Sequence, residues 1–82
     1  MLYVPNEVFE QGEYSMDVVY NLKKFRTDNK LSQEDVAEVL DITQQQYSRY
    51  EVGINEIPVR HIVTLCKHYR ISADWLLGLK EE

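Results

Sequence analysis

Residues 31–53 read LSQEDVAEVLDITQQQYSRYEVG, and their spacing predicts two short helices joined by a tight turn. Ser32 stands just before an apolar-periodic run and can cap the first helix, in which Val36, Ala37 and Leu40 share one face. Thr43 restarts the pattern. With Gln46 three residues on, it makes a capping box, in which each side chain satisfies a backbone N–H left free in the second helix's first turn.

With about 100° per residue and Gln44 at zero, Gln45, Ser48 and Arg49 fall near 100°, 40° and 140°, and Tyr47 and Tyr50 near 300° and 240°. The second helix therefore has a polar and an aromatic face. Two amides, a hydroxyl and a guanidinium on the polar face suit hydrogen bonding to base edges or phosphates in the major groove of DNA.

The stretch resembles the helix-turn-helix domains of phage repressors and Cro, often called the XRE family. The matching features are Gln33 directly after the first cap, Ala37 in that helix, Thr43, Gln44 and Gln45 opening the second, and Tyr50, Glu51, Val52 and Gly53 closing it. Downstream, Pro58 before an apolar helix and the run Ile71, Ser72, Ala73, Asp74, Trp75, Leu76, Leu77, Gly78 match the family's last two helices. The likeness spans residues 20–78. It implies an all-α, five-helix, lambda-repressor-like domain with a recognition helix at 44–52. It also implies DNA contacts by Gln33, Thr43, Gln44, Gln45, Ser48 and Arg49. Gln44 and Gln45 would read bases, since a glutamine can bond adenine bidentately, and Arg49 would take a guanine or a phosphate. Gln33, at a helix start, would grip a phosphate with its amide and the positive end of the helix dipole.

Three positions depart from the family pattern. Asp41 stands where glycine is usual, at a left-handed turn that Asp tolerates at about 1 kcal/mol. Gln46 and Tyr47 replace a small polar and a β-branched residue, so Tyr47 needs a larger pocket, and its hydroxyl needs a partner or a route to solvent.

The 82 residues suffice for one domain, and 44% hydrophobic with 28% charged residues describes an ordinary globular composition. No run approaches the ~18 apolar residues of a membrane span and no signal peptide opens the chain, so the cytoplasm is expected. The lone Cys66 cannot form an internal disulfide, and neither a metal site nor a cofactor is expected. Charge points the other way from DNA: the formal net charge is −5 and the pI near 4.9, whereas DNA-binding domains usually carry a basic footprint. From 16 to 60 the balance is milder, six basic residues against eight acidic.

Residues 1–14 show no helical period and read as an extended arm, either a flexible leader or, given Leu2, Tyr3, Val4, Val8 and Phe9, one docked on its own domain or a second subunit. The domain is expected over 15–79, with a frayed tail at 80–82. Ser15 can cap a helix over 16–29 whose apolar face is Val18, Leu22 and Phe25. Arg26 lies at the edge of that face. It could snorkel; the family resemblance implies instead an ion pair with Glu51. Pro58 suits a first helical position, before a helix with Val59, Ile62, Val63, Leu65, Cys66 and Tyr69 on a broad apolar face. His61 and His68 are expected on its outer face. Ser72 caps a last short helix with Leu76 in the core, Trp75 partly buried and Gly78 as the stop.

No glycine-rich phosphate loop, converging nucleophile or ligand cluster argues for an enzyme. The expectation is a sequence-specific regulator of transcription, acting on double-stranded DNA as a homodimer. The rival is an acidic helix-turn-helix protein-interaction module, antitoxin-like or an adaptor. It rests on the acidic balance and on the loop 54–57, Ile-Asn-Glu-Ile, where DNA-binding relatives commonly carry basic residues.

Overall fold

The computed structural model describes residues 16–79. Within them lie five helices and no strand: α1 (Met16–Asp28), α2 (Gln33–Leu40), α3 (Gln44–Glu51), α4 (Val59–Tyr69) and α5 (Ala73–Leu76). The arm 1–14, the Ser15 cap and the tail 80–82 lie outside the described residues.

The amphipathic pattern finds its core. Val18, Leu22 and Phe25 of α1, Val36, Ala37 and Leu40 of α2, Tyr47 of α3, and Leu76 of α5 are all buried together with Ile57, Ile62 and Leu65. Caps fix where the central helices begin. Thr43 N–H donates to Gln46 Oε1 at 2.9 Å, and Gln46 N–H donates back to Thr43 Oγ1 at 3.0 Å. Ser32 does the same with Asp35, at 2.8 and 2.9 Å, so the first cap is also a reciprocal box rather than the simple cap expected of Ser32 alone. Hydrogen bonding from Ser32, its backbone N–H above all, holds the Asp35 carboxyl below its ordinary value. Ser72 Oγ accepts from Trp75 N–H at 3.1 Å, and Trp75 is half-buried.

Every helix ends through a left-handed residue. Gly53 and Gly78 close α3 and α5, at φ +81° and +79°. The other three ends use side-chain-bearing residues: Lys30 after α1, Asp41 after α2 and Arg70 after α4, at φ between 57° and 61°. In each case the next residue's N–H reaches back five positions, as from Leu31 to the Arg26 carbonyl at 3.0 Å. Left-handed backbone is strained for Lys and Arg and less so for Asp. Lys30→Gly and Arg70→Gly should each raise stability by about 0.5–1 kcal/mol, with a smaller gain for Asp41→Gly. Urea midpoints compared at constant slope test this; unchanged or lowered midpoints for all three would refute it.

Helix α4 departs from expectation. Pro58 is the N-cap, with ψ 156°, rather than the first helical residue. His61 is buried at 7% exposure, whereas Val59 and Val63 are exposed at 74% and 43%. The buried stripe runs through His61, Ile62 and Leu65, rotated from the centre of the apolar arc, because His61 packs against the Tyr50 ring of α3 at 6.0 Å. The two rings meet at a tilt of 56°, and the valines lie toward solvent.

His61 Nε2 is buried without a hydrogen-bond partner among the described residues. Burial, reinforced by Arg60, lowers its pKa from the ordinary 6.5. The unfolded chain therefore takes up a proton near pH 6.5 that the folded one accepts only at lower pH. Stability should be full above about 6.5 and decline as pH falls below it. Thermal unfolding of wild type and His61→Leu between pH 5 and 7.5 checks this; equal slopes in the two proteins would refute it.

Candidate nucleic-acid interface

The residues of α3 separate as their angular spacing requires. Gln44, Gln45 and Arg49 are exposed, Ser48 and Tyr50 are half-buried, and Tyr47 is fully buried. Among the described residues, the side chains of Gln45 and Arg49 make no hydrogen bond to protein. They are left available to a partner.

Behind this face lies a polar cluster linking three helices. Arg26 of α1 holds Glu51 at the end of α3 with two parallel bonds, Nε to Oε2 at 2.6 Å and Nη2 to Oε1 at 3.1 Å. Its third contact is Nη1 to the Leu31 carbonyl at 2.9 Å. The side chains are 13% and 2% exposed, so the charges are largely out of water. Burial alone would raise the Glu51 pKa, but the hydrogen bonds from Arg26 and Gln33, with the Tyr47 hydroxyl close by, outweigh it and hold the carboxyl below its ordinary value. The same bond to Glu51 raises the Arg26 pKa. Both groups are charged at neutral pH.

Gln33 does not point freely outward. Its Nε2 donates to Glu51 Oε1 at 3.0 Å, and its Oε1 accepts from Gln44 Nε2. One N–H of Gln33 remains for an outside partner. Periodicity cannot reveal this bridge, because residues 18 positions apart on two helices carry no shared phase.

Tyr47 occupies the larger pocket its side chain needs, edge-to-face with Tyr50 at 6.4 Å. Its hydroxyl lies against the Arg26–Glu51 pair without a hydrogen bond of good geometry. Burial and the Glu51 carboxylate push the phenol far above its ordinary value. It stays neutral.

The flank of the face is acidic. Glu34, Glu38 and Asp41 line an open depression with Ala37 and Ile42, and Gln44 stands on its rim. Negative charge is thus concentrated beside Gln44, where a phosphate would be repelled.

A family model described as helix-turn-helix matches residues 22–76. The chain is similar to two uncharacterized HTH-type transcriptional regulators of Bacillus subtilis. YobD is 33% identical over 61 residues, 74% of this chain and 54% of that protein. YqaE is 37% identical over 57 residues, 70% and 49% respectively. The chain thus spans about half the length of the curated relatives it matches. In three dimensions it resembles a transcriptional regulator from Listeria innocua, with a TM-score of 0.71 and 22% identity over 79% of this chain and 61% of the other, which shows the fold.

Proposed function

The chain belongs to the helix-turn-helix family, and we propose that it binds double-stranded DNA sequence-specifically through α3 and so regulates transcription. The observation that carries this reading is the exposed arc of Gln44, Gln45 and Arg49 on a helix fixed at its start by the Thr43–Gln46 box and at its end by the Arg26–Glu51 pair. A helix laid in the major groove discriminates bases only if its side chains keep their register, and both anchors serve that. Gln44 and Gln45 read base edges, Arg49 takes a guanine or a phosphate, and Thr43 and Ser48 offer hydroxyls to the sugar-phosphate backbone. Gln33 at the start of α2 presents its remaining N–H and the helix dipole to a phosphate. Two copies on a near-palindromic site would supply the affinity that one short helix lacks. This activity belongs in the cytoplasm.

Among the described residues no helix is long and apolar enough to cross a membrane. The rival reading, a protein-interaction module, is favoured by the acidic depression beside Gln44 and the net charge of −5. Selection of bound sequences from random duplex DNA at moderate salt separates the two. The regulator reading expects a defined site; a protein that prefers no sequence over bulk DNA even at low salt refutes it.

A further inference from the structure

We propose that the groove between α1 and the end of α3 is the seat of this chain's own residues 7–10, folded back along α1 as an acidic and apolar strap. Val19, Tyr20, Lys23, Lys24 and Thr27 of α1 form one wall, and Glu51 closes the other. The loop after α3 passes close behind it. A Cβ built on Gly53 would stand 3.7 Å from Val19 Cγ2, and the residues on either side of that glycine, Val52 and Ile54, are exposed, as is Tyr20. Large apolar side chains left in water beside a seam between helices point to a segment that covers them.

Length, position and charge select the occupant. Residues 1–14 lie outside the described residues, but they lead into α1 at Met16, about one turn before Val19. From Val19 to Thr27 the helix rises about 12 Å, which about four extended residues span. Gly12 takes either hand of backbone and so permits a reversal, which lays residues 7–10, Glu-Val-Phe-Glu, along this length. Val8 and Phe9 then meet Val19 and Tyr20, and the glutamates on either side come within reach of Lys23 and Lys24. The signs agree. Residues 1–15 carry Glu7, Glu10 and Glu13 with no Lys or Arg, whereas two lysines stand together on α1, Lys23 exposed and Lys24 paired with Asp28 at 3.1 Å. Seated there, the strap shields the Glu51 side of the Arg26 pair from water and ties α1 to the end of α3.

Cross-linking in the full chain tests the seat and leaves residues 7–10 intact. In a Cys66→Ser background, Asn6→Cys is combined either with Thr27→Cys, at the far end of the groove, or with Val63→Cys, exposed on α4. An unseated arm reaches both sites, since residues 6–16 extend up to about 35 Å. A disulfide requires Cα atoms within about 7 Å, so the seated arm should close the Thr27 pair at least about tenfold faster than the Val63 pair under oxidised glutathione. Adding Phe9→Ser and Lys23→Glu together should abolish that advantage, and adding Lys67→Glu on α4 should leave it. Equal rates for the two pairs overturn the proposal, as does an advantage that survives Phe9→Ser with Lys23→Glu. So does a Thr27 cross-link found only in species of twice the chain mass, which would seat the arm on a second copy. The wild type gives a reading free of new cysteines: nuclear Overhauser contacts from the Phe9 ring to the Val19 methyls are expected in labelled protein, and random-coil resonances throughout residues 7–10 would overturn the seat. None of these measurements involves DNA.

Discussion

Arg26→Ala and Glu51→Ala should each lower stability by about 3–5 kcal/mol, enough to remove a large part of the ~5–15 kcal/mol expected of a small domain. The size follows from burial. An exposed ion pair contributes about 0–1 kcal/mol, since water solvates either partner when the other is gone. Here the side chains are 13% and 2% exposed, and each loses its principal counter-charge. In Arg26→Ala the Glu51 carboxylate keeps only Gln33 and the nearby Tyr47 hydroxyl, and must take up a proton or draw in water. In Glu51→Ala the guanidinium keeps only the Leu31 carbonyl. Removing both charges leaves neither stranded, so Arg26→Met with Glu51→Leu should be less damaging than the sum of the single changes. Acid should reproduce part of the effect. The Glu51 pKa in the folded protein lies below its ordinary 4.5, so its stabilisation is complete above about pH 4.5 and is lost as pH falls through the folded value. Denaturant unfolding of the three variants and wild type checks this. Midpoints unmoved by either single change would mean that the pair contributes nothing to holding α1 against α3.

The legibility of this fold is uneven, and the difference has a physical basis. Helix starts announce themselves locally, because Ser32, Thr43 and Ser72 each satisfy a backbone N–H within three residues of their own position. Core positions in α1 and α2 follow from period alone, since each helix packs one continuous apolar stripe. In α4 the same rule misplaced His61, Val59 and Val63. Its apolar residues cover too wide an arc to define a centre, and the phase is decided by Tyr50, which comes from another helix. The left-handed ends at Lys30 and Arg70 were likewise hidden, since neither residue type signals that conformation. The polar face of α3 could be drawn from angles. That Gln33 is drawn inward by Glu51 could not, because the contact depends on how α2 and α3 cross.

On the proposed regulator reading, replacing side chains of the α3 face should produce two separable kinds of failure. Gln44→Ala or Gln45→Ala should cost about 1–3 kcal/mol on the preferred site, a loss of roughly five- to 150-fold, and relax preference at one base position while leaving the salt dependence of binding unchanged. Neutral amides release no counterions, so the slope of log affinity against log salt has no reason to move. Arg49→Ala distinguishes its own two uses. If the guanidinium meets a phosphate, the slope becomes shallower by about 0.9 and all sequences weaken together; if it meets a guanine, one base preference is lost. Total slope should be small for this domain, because Arg49 is the single basic residue on α3 and Glu34, Glu38 and Asp41 flank Gln44 with negative charge. An acidic domain of this kind gains little from bulk DNA and must obtain its affinity from base contacts, so its specific binding should exceed its non-specific binding by a wide ratio even where the absolute affinity is modest. Titrations of wild type and the three variants against the selected duplex and a scrambled one, at several salt concentrations, measure each term. Gln44→Ala binding both duplexes as wild type does would remove Gln44 from the base-reading set, and a steep slope shared by all four proteins would show that phosphates, not bases, supply the affinity.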